Sequence, residues 1–239
     1  PPPQQQSRSL ELTAVTNQIT VYATASLQPT FTDLGERFER DHPGTTVTFN
    51  FAGSSSLVTQ LTQGAPADVF ASANAENMTK AVDSGVVSGA PADFAANTLT
   101  IVTAPGNPEG IQQFSDLADP DLQVVVCAPQ VPCGAATETI ERSAAVTLKP
   151  VSEESSVTDV LGKVVSGQAD AGLVYVTDAA DAGDDVTEVP FPQAADVVNV
   201  YPIAVLLDSA NPAGAQAFVD LVTGVQGREV LASAGFAAP

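Results

Sequence analysis

Tryptophan is absent from this 239-residue chain, and methionine and histidine occur once each. The single imidazole, His42, lies in Asp41-His42-Pro43-Gly44, which reads as a helix-ending turn. A histidine-rich metal site is excluded, and a serine nucleophile has no obvious base. Cations are also scarce: eight Lys and Arg stand against 28 Asp and Glu, for a formal net charge of −20. Nucleic acid and anionic membrane both need a positive footprint, so neither is an expected partner. No apolar run reaches the ~18 residues of a membrane span. The chain opens on Pro1-Pro2-Pro3-Gln4-Gln5-Gln6, without Met, basic n-region or apolar h-region, and is expected to be a mature or trimmed form without its targeting segment.

Only two cysteines occur, Cys127 and Cys133, six positions apart. They lack the partners of a zinc site. In an exported protein they would form a local disulfide, and otherwise they are two buried thiols.

What is plentiful is hydrophobic sequence, 44% of the chain, arranged as strand, short turn and helix in alternation. Residues 1–17 read as a Pro/Gln/Ser-rich leader. Strands are expected at Ile19–Ala23, Thr46–Phe51, Ala67–Ala71, Leu99–Thr103, Val124–Val126, Ala171–Val176 and Tyr201–Leu207. Helical spacing follows most of them: Phe31, Leu34 and Phe38 share one face, as do Leu57, Val58 and Leu61. Ser156-Val157-Thr158-Asp159 reads as a capping box. The alternation predicts an α/β fold with mostly parallel sheet.

Several helix starts share one form, a short turn of small residues: Ala25-Ser26-Leu27, Gly53-Ser54-Ser55-Ser56, Pro132-Cys133-Gly134 and Ser155-Ser156-Val157. A helix start leaves backbone N–H groups unpaired and carries about half a positive charge. Small residues let an anion approach those groups, and serine hydroxyls add donors. Each turn alone is an ordinary cap, and a Tyr ending a strand, such as Tyr175, is ordinarily a packing residue.

Together, in order, they carry a resemblance. Val21-Tyr22-Ala23-Thr24-Ala25-Ser26-Leu27, Phe51-Ala52-Gly53-Ser54-Ser55-Ser56-Leu57 and Gly64-Ala65-Pro66-Ala67-Asp68 resemble motifs of periplasmic molybdate-binding proteins of ABC importers. So do Val131-Pro132-Cys133-Gly134, Ser156-Val157, Gly172-Leu173-Val174-Tyr175 and Ser233-Ala234-Gly235-Phe236. The resemblance runs from about residue 18 to 237. It implies a type II periplasmic-binding-protein fold, with two α/β lobes joined by two crossing hinge strands. Residues 18–97 plus 207–239 would form lobe 1, and 98–206 lobe 2. It implies molybdate or tungstate as ligand and no cofactor. Ser26 and Ser54 would offer hydroxyl and N–H, Cys133 and Val157 their backbone N–H, and Tyr175 its phenol. Where relatives often have Ala, this chain has Cys133, and a bond to Cys127 would stiffen that turn. The resemblance further implies a monomer, placed in the periplasm or at the cell surface, that delivers its ligand to an ABC permease.

None of the eight basic residues lies in the motifs that carry Ser26, Ser54, Cys133, Val157 and Tyr175. A phosphate or carboxylate receptor would usually show an arginine fork. Donors alone favour a fully ionised oxyanion. The alternatives are a receptor of the same fold for sulfate or another small anion, and a serine hydrolase. Gly53-Ser54-Ser55-Ser56 does not form a nucleophile elbow, which argues against the hydrolase.

Overall fold

The computed structural model describes residues 17–239. The leader assigned to residues 1–17 lies, apart from Asn17, outside the described residues. Two five-stranded sheets, each flanked by helices, make up the architecture.

The first sheet runs β2 (Thr46–Ala52), β1 (Gln18–Thr24), β3 (Val69–Ala71), β10 (Asn199–Leu206), β4 (Val87–Asn97). Its first three strands are parallel, and β10 is antiparallel to both β3 and β4. Helices α1 (Gln28–Asp41), α2 (Ser54–Thr62), α3 (Ala75–Asp83), α7 (Pro212–Thr223) and α8 (Val225–Ser233) accompany it. The second sheet runs β7 (Ser152–Glu154), β6 (Val124–Cys127), β8 (Ala171–Tyr175), β5 (Leu99–Thr103), β9 (Thr187–Val189). Strand β6 is parallel to β7 and β8, and β5 is antiparallel to β8 and β9. Helices α4 (Pro132–Ala144), α5 (Val157–Val165) and α6 (Val176–Ala182) belong with it.

Each sheet is therefore mixed rather than mostly parallel. The antiparallel strands are those that carry the chain between sheets. It leaves the first sheet at Asn97, enters the second at Leu99, and returns before Asn199. Strand β10 pairs with β3 and β4 and not with the second sheet.

Burial explains the sequence pattern. Every residue of β5, β6 and β8 is buried, as continuous apolar strands between helices should be. On α1, Phe31, Leu34 and Phe38 face inward, and Phe31 and Phe38 meet Phe218 of α7 edge-on at 5.8 Å. The 11-residue β4, which is not among the strands expected from sequence, holds Gly89 and Pro91. It is an edge strand with a register shift opposite Ile203 and Val205, the setting in which a sheet tolerates proline.

Candidate functional site

Of the four small-residue helix starts, only that of Ser156 has a side-chain cap, the Ser156 hydroxyl accepting the Asp159 N–H at 3.2 Å. The expected reciprocal half is not formed: the Asp159 carboxylate accepts from Ser155 Oγ at 3.5 Å instead. Ser26 lies inside a 3-10 turn (Ala25–Leu27) without a cap bond, and Ser54 follows the N-cap residue Gly53. Both serines are buried, and both hydroxyls serve tertiary contacts. Ser26 Oγ pairs with Tyr201 Oη at 2.8 Å. Ser54 Oγ accepts from the Ala73 N–H at 3.0 Å and donates to Thr24 Oγ1 at 2.9 Å.

Tyr175 ends β8, where its backbone N–H donates to Asp178 Oδ2 at 3.0 Å. Its Oη accepts from Asn199 Nδ2 at 2.7 Å, and the same amide donates to the Pro132 carbonyl at 3.3 Å. Pro132 begins α4, so Asn199 ties the start of the Cys133 turn to the phenol. The Tyr175 and Tyr201 rings lie 6.0 Å apart, centre to centre. Ser26, Tyr201, Tyr175 and the Cys133 turn thus form one connected group.

Cys133 is bonded to Cys127, so the disulfide closes the β6–α4 connection. The same turn is closed from the other side by Gly134, where a Cβ would collide with the Ala128 carbonyl. Val157 opens α5, which packs against the 3-10 turn of Ser26 across the two lobes. Gly53 meets the Ser155 carbonyl across the same seam. Among the described residues, the N–H groups of Cys133 and Val157 find no protein acceptor. All five expected site residues therefore lie along one inter-lobe seam.

Two cavities of about 240 Å³ each open on this seam. One is bounded by Gly53, Ser56, Ser155 and Asp159, the other by Ser26, Thr30, Thr177 and Phe236. A larger cavity of about 460 Å³, between β4, α8 and the C-terminal residues, touches none of the five.

The electrostatics are those of neutral donors. Burial pushes both phenols, Tyr175 and Tyr201, well above the ordinary tyrosine range, so they stay protonated. Burial also raises the Asp178 carboxyl to about 7. The seven described basic residues are all at least partly exposed, and none lines either seam cavity. Lys163 pairs instead with Glu154, whose carboxyl it lowers, on β7. The described residues contain no cluster of three or more His, Cys, Asp or Glu suited to a metal ion. His42 caps the end of α1 and bonds to the Phe38 carbonyl at 3.0 Å, so it is not a base for either serine. Residues that sequence reading does not single out are Thr24, Asn97, Thr177, Asn199 and Tyr201. Their signal is position: Asn97 ends β4 and Asn199 and Tyr201 open β10, where the chain crosses between lobes, Thr24 ends β1, and Thr177 lies in the first turn of α6.

Two α/β lobes sharing a pair of crossing strands, with buried donors along the seam, define a cleft-closing ligand receptor. The chain belongs to the bacterial extracellular solute-binding protein family, whose pattern matches residues 19–237. It is 57% identical to the molybdate-binding protein ModA of Mycobacterium tuberculosis over 221 residues, covering 92% of this chain and 85% of that protein. It is 30% identical to ModA of Escherichia coli over 229 residues, covering 92% and 88%. In three dimensions it is similar to the periplasmic molybdate-binding protein of Azotobacter vinelandii, with a TM-score of 0.81 at 22% identity, covering 92% and 99%. The sulfate-binding protein SubI of M. tuberculosis shares the fold, with a TM-score of 0.80 at 21% identity, covering 92% and 86%.

Proposed function

We propose that this protein captures molybdate or tungstate outside the cytoplasm and delivers it to the permease of an ABC importer. In this reading the oxyanion sits on the inter-lobe seam. It accepts from the Ser26 and Ser54 hydroxyls and N–H groups, the Ser54 hydroxyl turning its proton from Thr24 Oγ1 to the guest, and from the Cys133 and Val157 N–H groups and the Tyr175 phenol. The observation that carries it is a seam of buried, uncharged donors from both lobes with no cationic side chain among them. Such a seam suits a guest that only accepts, a fully ionised tetrahedral dianion. About seven charge-assisted hydrogen bonds at roughly 1.5–3 kcal/mol each offset its dehydration. The anion favours the closed form because only that form presents both donor sets.

The chain acts in this reading as a monomeric receptor and not as an enzyme, without cofactor and without nucleic acid. The second reading, a sulfate receptor, is favoured by the shared fold of the sulfate-binding protein and by donor chemistry that sulfate would also satisfy. Calorimetry with molybdate, tungstate and sulfate separates the two. Ser26→Ala with Ser54→Ala is expected to weaken molybdate binding by more than about a hundredfold while the protein stays folded. Unchanged affinity defeats the site, and equal displacement of bound molybdate by sulfate defeats the ligand.

A further inference from the structure

Two asparagines stand opposite each other where the chain crosses between lobes. Asn97 ends β4, Asn199 begins β10, and the two are register partners. Each gives its amide to one tyrosine of the seam. Asn199 Nδ2 donates to Tyr175 Oη at 2.7 Å, and Asn97 Nδ2 donates to Tyr201 Oη at 3.3 Å and to Thr177 Oγ1 at 2.8 Å.

The orientation of each amide is fixed independently. The Thr98 N–H donates to Asn97 Oδ1 at 3.1 Å, so the oxygen of Asn97 must face Thr98 and its NH₂ must face Tyr201. The Pro132 carbonyl can only accept, so the group of Asn199 directed at it and at Tyr175 must be the NH₂. Both phenol oxygens are thereby made acceptors. A phenol that accepts from an amide keeps its own proton to give elsewhere.

We propose that Asn97 and Asn199 are positioning residues that set the direction of the hydroxyl donors. Asn199 leaves the Tyr175 proton for the oxyanion. Asn97 turns the Tyr201 proton onto Ser26 Oγ, which in turn leaves the Ser26 proton for the oxyanion. This rests on the oxyanion reading above. Its force is that a dianion only accepts: a hydroxyl facing it with a lone pair repels it, and one facing it with hydrogen attracts it. Direction thus decides the sign of each contact, and it also selects against a protonated guest, whose own hydrogen would meet another hydrogen. Neither asparagine touches the guest in this account.

The test reverses the two amides. Asn97→Asp and Asn199→Asp keep the shape but replace a donor with an acceptor, so each tyrosine proton turns to the carboxylate and a lone pair turns to the guest. Affinities for molybdate and for hydrogen phosphate are compared by competition at mildly alkaline pH, where both are dianions and only phosphate carries a proton. Added negative charge weakens both anions alike, so the ratio is the readout. We expect either variant to lower the molybdate-to-phosphate ratio by about tenfold or more. In a Tyr201→Phe background, Asn97→Asp should no longer move it. An equal loss for both anions overturns the relay, and so does a ratio shift that survives Tyr201→Phe. Ser26→Ala alone is the control: unchanged molybdate affinity in that variant overturns the oxyanion reading itself. The two aspartate variants test separate arms, and thermal unfolding checks that each is folded.

Discussion

The backbone of Gly53 lies so close to the Ser155 carbonyl that a single added Cβ would come within 2.0 Å of its oxygen. Gly53 precedes α2 in the first lobe, and Ser155 precedes α5 in the second. The backbone at Gly53, φ −59° and ψ 142°, suits any residue. Glycine is required there by the other lobe and not by the turn.

Gly53→Ala is therefore expected to hold the cleft open without unfolding the protein. The N-cap change costs about 1 kcal/mol or less. Affinity for molybdate should fall by about a hundredfold or more, because it scales with the fraction of molecules that can close. Small-angle scattering checks the cause: the wild type should contract when molybdate is added, and the variant should keep its open dimensions.

Asp178 gives stability a pH dependence of a definite sign. Its carboxyl is raised by burial from 3.8 to about 7, so the folded state holds a proton that the unfolded chain releases. The stabilisation is complete below about pH 4 and is lost as pH rises through 7. Glu154, lowered from 4.5 by its bond with Lys163, acts oppositely and only in more acidic solution. The thermal midpoint should thus decline between about pH 4.5 and 7.5. Asp178→Asn, which retains an acceptor for the Tyr175 N–H, should flatten that decline. A slope unchanged in the variant would remove Asp178 as its source.

The disulfide closes a loop of only six positions, so its stabilising effect is small. Replacing both Cys127 and Cys133 with Ser should cost about 2 kcal/mol on the chain-entropy account, or a midpoint lower by roughly 4–8 °C for a domain of this size. The larger consequence is expected in binding, because the bond anchors the turn that presents the Cys133 N–H. Affinity for molybdate should fall further than that of a stability-matched variant remote from the seam, with calorimetry as the measure.

Much of this was legible in the sequence. The β1, β2, β5, β6 and β8 strands follow from β-branched or continuous apolar runs, and α1 from the spacing of Phe31, Leu34 and Phe38. The family resemblance marked Ser26, Ser54, Cys133, Val157 and Tyr175, which the fold gathers on one seam. Four things were hidden. Strand β4 was masked by Gly89 and Pro91, which only an edge position tolerates. The place of β10 depended on pairing across more than 100 residues, which local pattern does not encode. Strands β7 and β9, three residues each, are too short to show an alternation. The roles of Asn97, Asn199 and Tyr201 lie in side-chain contacts between crossing strands, and an isolated asparagine in sequence reads as a turn.

The charge balance yields the last prediction. The protein carries a formal −20, and its seam donors are neutral. A dianion approaching it meets repulsion at long range and attraction only on contact. Added salt shortens the reach of the repulsion, to about 10 Å at 0.1 M, and hardly screens short hydrogen bonds in a closed cleft. Raising ionic strength should therefore speed molybdate association and leave dissociation nearly constant, so that affinity rises. A site built on arginine or lysine would show the opposite trend, with affinity falling as salt screens the attraction. Stopped-flow association rates over a salt series discriminate: a steady fall with added salt would require a cationic side chain to take part in capture.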